Sequence, residues 1–387
     1  MAADPKSVFV IAVEYSGDQL GAALIQAIRT HNPHVSIDGI GGPAMAAQNI
    51  QSDIDISVLS ILGFAEAVKV YPTVLRRVKE VVAAVMVQGP DAVVLIDSWG
   101  FMIRVAKGLK RAGYQGQIIK YVAPQVWAMR EGRAKTLAQF VDHLLTIHSF
   151  DAPYFTRHNL ASTYVGNPVF DIDYSNGNPA ALREVYNIAA AAPIVGVMFG
   201  SRSDEIMRLA PTLAAAAARL KTSFPDAVII APVAHSVQKQ IADMALRDEN
   251  FAQIKLIAQR DLVDAFAVMD VALACSGTVT TQLATAGVPT VVSYKVAPTT
   301  YVIGKRLFKP DYMSIVNIAA NAPLMPEFMQ DEATPDAISD AAKPYLDNPA
   351  FAAKAREALM EQTASMQGKG GTASERAALK VLDLIGL

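Results

Sequence analysis

The sequence has little cysteine and no excess of charge of either sign. Cys275 is the one cysteine among 387 residues. A single thiol can form neither an internal disulfide nor a metal site built from several cysteines, so we expect a reducing cytoplasm as the compartment. Lysine and arginine number 34 against 36 aspartate and glutamate, for a formal net charge of −2. Because there is no basic excess, general affinity for nucleic acid is not expected.

Long uninterrupted hydrophobic runs are also missing, although 52% of the residues are hydrophobic. The longest apolar stretch, Ile188 to Gly200, is interrupted by Pro193. It is shorter than the roughly 18 residues that a spanning helix needs. Near the amino terminus, Val8–Val13 has the pattern of a strand rather than of a signal peptide. We therefore expect a chain that does not cross a membrane, and its apolar excess needs another explanation.

Short β-branched runs alternate with longer helical patterns, which is typical of parallel βαβ units. Two such series are separated by a stretch rich in Asn, Gly and Ala at 171–193. The sequence thus predicts an α/β fold with two doubly wound, Rossmann-like domains, residues 1–175 and 176–387. After Pro335 the pattern is purely helical. It stays open whether the last of these helices packs back on the N-terminal domain. The predicted strands are Val8–Val13, Val35–Gly39, Ala92–Ile96, Gln117–Val122, His143–Ile147, Ile194–Met198, Ala227–Ala231, Ile254–Ile257, Val271–Ala274 and Thr290–Ser293.

Candidate site residues in the first half follow predicted strands, where parallel sheets bind ligands. Glu14-Tyr15-Ser16-Gly17-Asp18 comes after the first strand. Ser16 or Asp18 can cap the next helix, or the helix N–H groups can bind an anionic or hydroxylated ligand. Asp97 ends the strongest strand, where a carboxylate can take a proton from a hydroxyl. Capping of the following helix is the alternative for Asp97.

One pattern occurs twice in the second half of the chain. Gly200-Ser201-Arg202 follows a strand and opens a long helix, and Ser276-Gly277-Thr278 follows another strand. Backbone N–H groups at a helix start, together with an arginine, can hold a diphosphate and stabilise it as a leaving group. Neither segment has the lysine of a P-loop, so kinase or ATPase chemistry is not supported. The pair predicts a site for a nucleotide diphosphate.

Two further patterns have open alternatives. The segment Ser57–Leu75 is apolar and is followed by basic residues, so it either lies at a membrane surface or forms a buried helix pair. Its candidate membrane or acyl contacts are Leu62, Phe64, Val68 and Leu75. The pairs Asp53/Asp55 and Asp171/Asp173 could hold a metal, but turn and cap roles fit them better. The histidines lack zinc-site spacing, so no metal is expected.

Taken in order, these motifs resemble the lipid A disaccharide synthase family, glycosyltransferases of family 19 with the GT-B fold, as a divergent member. The resemblance covers nearly the whole chain. The motifs are Glu14-x-Ser16-Gly17-Asp18, Gly39-x-Gly41-Gly42-Pro43, Gly63-x-x-Glu66, Ile96-Asp97, Tyr121-Val122-x-Pro124-x-Val126-Trp127-Ala128, Val165-Gly166-x-Pro168, Gly200-Ser201-Arg202, Ser276-Gly277-Thr278, Gly287-Val288-Pro289, Lys305-Arg306-Leu307-x-Lys309-x-x-Tyr312-x-Ser314-x-x-Asn317 and Pro326-Glu327.

The resemblance implies an inverting transfer of 2,3-diacylglucosamine from UDP to the 6-hydroxyl of 2,3-diacylglucosamine 1-phosphate in a Gram-negative bacterium. It places an acceptor-side domain before residue 175 and a UDP-sugar-binding domain after it. It implies Asp97 as general base and Arg202 as diphosphate stabiliser, with no cofactor and no metal. The implied substrate-binding residues are Glu14, Ser16, Gly17, Asp18, Gly200, Ser201, Ser276, Gly277, Thr278, Gln282, Asn317 and Glu327.

The resemblance also implies an enzyme on the cytoplasmic face of the inner membrane. The oligomeric state stays open, and a homodimer is one of the alternatives. A UDP-sugar epimerase or hydrolase of the same fold and a non-catalytic paralogue are the alternative functions. The chain departs from the family at Val13 and Tyr15, where a glycine and a small residue are usual, and at Asn167, where histidine is usual. Gln282 replaces the glutamate expected to hold the ribose hydroxyls, so neutral hydrogen bonds would replace charge-assisted ones.

Overall fold

The computed structural model describes residues 5–52, 54, 67–234, 237–297, 301 and 308–387. The chain divides into two compact units, Met1–Asp171 with Gly368–Leu387, and Ile172–Gln367. Each unit contains a six-stranded sheet whose described strand pairs are all parallel, so the predicted fold class is confirmed. The units divide slightly before residue 175, and the last helix lies in the first unit.

The strands and helices are numbered here along the described residues. The strands are β1 (Ser7–Ile11), β2 (Ser36–Ile40), β3 (Ala92–Ile96), β4 (Gln117–Tyr121), β5 (His143–Thr146), β6 (Ala161–Tyr164), β7 (Ile194–Met198), β8 (Val228–Val233), β9 (Ile254–Ala258), β10 (Val271–Cys275), β11 (Thr290–Tyr294) and β12 (Glu327–Met329). The α-helices are α1 (Tyr15–His31), α2 (Pro43–Ala47), α3 (Ala67–Gln88), α4 (Trp99–Ala112), α5 (Gly132–Ala138), α6 (Ala152–Thr156), α7 (Pro179–Val185), α8 (Ser203–Ser223), α9 (Gln238–Ala245), α10 (Glu249–Ala252), α11 (Leu262–Val268), α12 (Thr278–Thr285), α13 (Ile315–Ala320), α14 (Pro335–Asp347), α15 (Pro349–Ser365) and α16 (Ala373–Leu384).

In each sheet the strand order reverses at one point. The first sheet has the order β2-β1-β3-β4-β5-β6, and the second has β12-β11-β10-β7-β8-β9. The reversal therefore falls between β1 and β3 in one sheet and between β7 and β10 in the other. At such a point the crossover helices leave toward opposite faces, and a crevice opens beyond the carboxyl ends of the two strands. The loops after these four strands are thus the places where each sheet can hold a ligand.

Apolar residues from both faces of each sheet form the core. Along β1, Phe9 and Ile11 pack on one side, whereas Val8 and Val10 pack on the other. This alternation follows from the two-residue period of a strand. Because helices cover both faces, β3 and β7 are buried at every position. Much of the apolar excess of the sequence is therefore parallel-sheet core.

The last helix, α16, is fixed to the first unit by packing and by hydrogen bonds. Ala377, Ala378 and Val381 lie in the same apolar cluster as residues of α1. Both carboxylate oxygens of Asp171 lie 3.0 Å from the backbone nitrogen of Ala373, which donates to them at the start of α16. The Arg376 guanidinium donates to the carbonyl oxygens of Val165, Gly368, Gly370 and Gly371. These contacts attach α16 to the first unit.

Two strands, β6 and β12, were not anticipated by the sequence pattern. Most of β6 is half-buried and includes Ser162 and Thr163, so it lacks a continuous apolar run. The strand β12 has three residues, all half-buried. Both lie at an edge of their sheets. An edge strand is covered less completely than a central one, so its sequence gives a weaker signal.

Candidate active site

Asp97 lies directly after β3, at the reversal point of the first sheet. The N-cap of α4 is Ser98, so the capping alternative for Asp97 is wrong. The backbone φ angles of Asp97 and Ser98 are +50° and +33°. Two consecutive side-chain-bearing residues in the left-handed region are strained, and such strain is concentrated at functional sites. The Asp97 side chain is half-buried and thus stands at the strand end without a helix-capping duty.

Lys120, a residue that the sequence reasoning missed, is buried at the same edge of the sheet as Asp97. It is 2% exposed. Its Nζ donates hydrogen bonds of 2.9 Å to the carbonyl oxygens of Tyr121 and Val122. Burial lowers the Lys120 pKa to about 7, and the charges of Asp97 and Glu14 oppose this shift. A lysine within the apolar run of a buried strand was the available signal.

The loop after β1 places Glu14 and Ser16 at the surface and buries Gly17. A Cβ on Gly17 would lie 3.6 Å from Ile96 at the end of β3, so the α1 amino terminus approaches β3 closely. Tyr15 is 76% exposed and extends into solvent, and Val13 is buried in the core. Glu14 precedes α1 as its N-cap residue. Glu14, Ser16 and Gly17 therefore lie at the reversal point that also carries Asp97.

Asp18 has a different role from the predicted substrate contact. It is 3% exposed, and its carboxylate accepts hydrogen bonds from the backbone N–H groups of Gly42, Ala44 and Met45 at 2.7–3.0 Å. These groups form the start of α2. A Cβ on Gly42 would lie 2.7 Å from the Asp18 Oδ2 atom, which explains the glycine. The carboxylate is committed to joining α1 to α2, so we assign it a structural role.

Replacing Asp18 by alanine is expected to lower the free energy of unfolding by about 3 kcal/mol, because three N–H groups lose their acceptor. Urea titration followed by circular dichroism measures this value. Asp38→Ala is a matched control, since Asp38 is an exposed aspartate on β2 and should change stability by less than about 0.5 kcal/mol. Equal stability of both variants would contradict the structural role.

In the second unit, Arg202 is the N-cap residue of α8, directly after the turn at Gly200. Gly200 has a φ of +99°, a conformation that glycine adopts without strain. The Arg202 side chain is 79% exposed, and its Nη1 lies 2.9 Å from Glu205 Oε1, whose side chain is 15% exposed. The hydrogen bond and charge of Glu205 raise the pKa of Arg202. Glu205, which the sequence reasoning did not single out, thus compensates an arginine that would otherwise oppose the helix dipole.

The second predicted anion-binding turn follows β10, the neighbour of β7. Gly277 is the N-cap residue of α12, and Gly277 and Thr278 are exposed while Ser276 is half-buried. A Cβ on Gly200 would lie 3.5 Å from the Sγ atom of Cys275, so the two turns approach each other. Two helix amino termini therefore lie at the reversal point of the second sheet, next to exposed Arg202 and Ser201. This arrangement suits a ligand with two phosphates.

Two of the remaining predicted donor-side residues, Asn317 and Glu327, form a network near β12. Asn317 is fully buried, and its Nδ2 donates to Met325 O at 2.7 Å and to Glu327 Oε1 at 2.8 Å. The Glu327 carboxylate also accepts from the backbone nitrogens of Met313 and Ser314. Asn317 therefore orients half-buried Glu327 and does not itself face solvent. Gln282 lies on α12, half-buried beside the buried Tyr174 hydroxyl.

Some predicted residues lie outside the described part of the chain. Leu62, Phe64 and the pair Asp53/Asp55 are among them, and for Val68 on α3 only the backbone is described. Leu75, on the same helix, is 38% exposed. Of the second aspartate pair, Asp173 accepts from Ser175 N, and Asp171 holds α16, which confirms their turn and cap roles. Within the described residues, no helix combines the length and apolar character needed to span a bilayer.

The architecture is similar to that of a solved epimerase and a solved glycosyltransferase. The UDP-GlcNAc 2-epimerase of Neisseria meningitidis, solved bound to UDP-GlcNAc, aligns with a TM-score of 0.65 and 12% identity over 98% of this chain and 100% of that chain. A glycosyltransferase of Rickettsia africae aligns with a TM-score of 0.62 and 10% identity over 99% of this chain and 100% of that chain. At these identities the similarity establishes the shared fold alone.

Sequence comparison gives the family. A family model described as lipid-A-disaccharide synthetase matches residues 8–381. The lipid-A-disaccharide synthase of Rhodospirillum centenum is 38% identical over 383 residues, which cover 98% of this chain and 95% of that protein. The enzyme of the same name from Geobacter metallireducens is 33% identical over 381 residues, covering 98% of each. The chain therefore belongs to the lipid-A-disaccharide synthetase family.

Proposed function

We propose that the protein is the inverting glycosyltransferase that moves 2,3-diacylglucosamine from UDP to the 6-hydroxyl of 2,3-diacylglucosamine 1-phosphate. Family membership over residues 8–381 supports this proposal. The observation that carries it is the position of Asp97, a carboxylate at the reversal point of the first sheet with no role in capping α4. The helix amino termini after β7 and β10 form the part of the proposed site that binds the diphosphate.

In the proposed mechanism, Asp97 accepts the proton of the acceptor hydroxyl while that oxygen attacks the anomeric carbon. The bond between the anomeric carbon and the UDP oxygen breaks on the opposite face, so the configuration inverts. Negative charge then accumulates on the diphosphate, where Arg202 and the N–H groups at the starts of α8 and α12 stabilise it. Because these groups neutralise the leaving group, the mechanism needs no metal and no cofactor.

The other site residues divide between the two substrates. Glu14, Ser16 and Gly17 lie near Asp97 and are assigned to the acceptor. Ser201, Gly277 and Thr278 are assigned to the diphosphate, while Gln282 and the Glu327 carboxylate are assigned to the rest of the donor. This division follows from the sheet to which each residue belongs.

The direct test incubates the purified protein with UDP-2,3-diacylglucosamine, with and without the monophosphate acceptor. We expect equal amounts of UDP and disaccharide, and UDP release that depends on the acceptor. Acceptor-independent turnover would instead favour an epimerase or hydrolase. A folded protein that binds UDP but releases no product would favour a non-catalytic paralogue.

We also infer that the protein associates with the cytoplasmic face of the inner membrane, where both lipid substrates would be presented. The first half of α3 carries exposed Tyr71 and Leu75, and Arg76 follows them on the same helix. The Arg104 guanidinium of α4 lies 5.5 Å from the centre of the Tyr71 ring. Exposed apolar side chains beside basic ones favour binding to anionic lipid surfaces.

The double variant Leu62→Ser/Phe64→Ser is expected to lose most binding to anionic phospholipid vesicles, because it removes apolar side chains from the segment before α3. Vesicle flotation measures the bound fraction, and thermal unfolding checks that the fold is retained. Val87→Ser is the matched control, since Val87 is an 87% exposed apolar residue at the far end of α3. Retained flotation, or loss of the fold in the double variant, would contradict a membrane role for this segment.

A further inference from the structure

The buried amine of Lys120 connects the ends of two strands to the candidate base. We propose that Lys120 is a positioning residue for proton transfer at Asp97: its buried amine holds the carboxyl ends of β4 and β3 in the backbone conformation that places the Asp97 carboxylate. The inference rests on the proposed function only in taking Asp97 as the base. Lys120 does not need to touch either substrate.

One carbonyl oxygen joins the two residues. Tyr121 O accepts a hydrogen bond from Lys120 Nζ at 2.9 Å and another from the Asp97 backbone nitrogen at 3.0 Å. The second acceptor of the Lys120 amine is Val122 O. Lys120 therefore binds the backbone on the β4 side of the reversal point, and the Asp97 backbone is attached to the same atom.

This part of the backbone needs such support. Val122 has a φ of +71°, which is a marked outlier for a β-branched residue, and Asp97 has a φ of +50°. Strained conformations persist only where the surrounding contacts over-determine them. The bonds from Lys120 to the carbonyl groups of Tyr121 and Val122 are contacts of this kind. A displacement of Val122 would be transmitted to Asp97 through the Tyr121 peptide.

Charge provides the second connection. An ammonium buried without a counter-charge is strongly unfavourable, and the carboxylates that act on Lys120 are Asp97 after β3 and Glu14 after β1. On the other side of β4, His143 of β5 interacts with Lys380 and Asp383 instead. Lys120 and the two carboxylates thus form a charge cluster at the reversal point, and the two carboxylates favour the charged form of the Lys120 amine.

The buried amine predicts a fall of kcat/KM on the basic side of the pH profile. As pH rises past the Lys120 pKa of about 7, the amine loses its charge and binds the carbonyl groups of Tyr121 and Val122 less strongly. The basic limb of the profile therefore reports Lys120.

Two substitutions separate the charge of Lys120 from its packing. Lys120→Met retains length but removes the charge and the hydrogen-bond donors, so kcat should fall about tenfold and the basic limb of the pH profile should disappear. Lys120→Arg keeps a permanent charge, so most of the rate should be retained and the basic limb should move to higher pH. The KM for the UDP-sugar should stay within about twofold in both variants, because Lys120 acts through Asp97.

Thermal unfolding and a matched lysine control exclude a purely structural explanation. Lys110→Met removes a lysine at the end of α4 that pairs with Asp142, and it should leave the pH profile unchanged. If Lys120→Met lowers the melting temperature but its remaining activity has the wild-type pH profile, the proposal is overturned. If Lys120→Arg does not fold, the presence or absence of the basic limb in Lys120→Met decides between the two explanations.

A titration that needs no turnover keeps this inference separate from the proposed function. In protein labelled with ¹³C at lysine Cε, the resonance absent from Lys120→Met belongs to Lys120. Asp97→Asn should lower the pKa that this resonance reports, since the charge of Asp97 raises the Lys120 pKa in the wild type. An unchanged pKa would refute the coupling. Absence of glycosyl transfer in the wild type would refute the proposed function, and the titration would still decide whether the two residues are coupled.

Discussion

Replacing Asp97 by asparagine is expected to lower kcat for disaccharide formation by about 10²- to 10⁴-fold, the usual contribution of a general base. The asparagine amide has the same shape as the carboxylate but cannot accept the hydroxyl proton. Asparagine also tolerates the left-handed backbone at φ +50°, so the local conformation should be retained. Steady-state kinetics give kcat, and calorimetry should show UDP affinity within about twofold of wild type, because Asp97 lies in the unit to which we assign the acceptor.

A matched control lies at the other end of the same strand. Asp91 precedes β3 and pairs with Lys6 at 2.8 Å. Asp91→Asn should reduce stability without a large change in kcat, because Asp91 is at the amino end of the strand, away from the ligand-binding edge. A rate for Asp97→Asn close to that of wild type, or an equal loss in Asp91→Asn, would refute the assignment of Asp97 as base.

Arg202→Gln is expected to reduce kcat by about 10²- to 10³-fold, because the leaving diphosphate loses a guanidinium that stabilises its developing charge. Arg202→Lys should recover part of the rate, since a point charge remains but the bidentate geometry is lost. Single-turnover kinetics with the radiolabelled donor separate this effect on chemistry from donor binding. Donor affinity should fall less than the rate, because the diphosphate carries more negative charge in the transition state than in the ground state.

The neighbouring carboxylate makes a double-mutant cycle necessary. Removing Arg202 leaves the largely buried Glu205 without its partner, and an unpaired carboxylate would repel the diphosphate. The variant Arg202→Gln/Glu205→Gln removes both charges and isolates the contribution of the guanidinium. If this double variant regains most of the wild-type rate, the loss in Arg202→Gln came from Glu205, and Arg202 is not the diphosphate stabiliser.

The central strands could be predicted from the sequence because burial on both faces leaves a clear pattern. The predicted limits Ala92–Ile96 and Ile194–Met198 are those of β3 and β7. The half-buried edge strand β6 has no such run and was missed. The strand order is also not written in local patterns, since it depends on which strands pair across tens of residues. The sequence therefore indicated the two sheets but not their reversal points.

The site was predictable where a residue's role follows from its place after a strand, as for Asp97 and Arg202. It was not predictable where the partner is distant in sequence. Asp18 resembles a ligand residue until the N–H groups of Gly42 and Met45, 24 and 27 residues later, are seen to occupy its carboxylate. Asn317 is likewise occupied by Met325 and Glu327. Such hydrogen bonds are satisfied by tertiary structure, which local sequence does not specify.

The anchoring of α16 makes the second unit an insertion within the first. The chain leaves the first unit after Asp171 and returns to it at Gly368, and contacts of Arg376 and Asp171 hold both junctions. A fragment ending at residue 175 would lack α16 and expose the apolar side of α1, including Leu24 and Ile28. Exchange of the second unit between family members therefore requires two junctions, and the segment to transplant is Ile172–Gln367, with the native C-terminal helix retained.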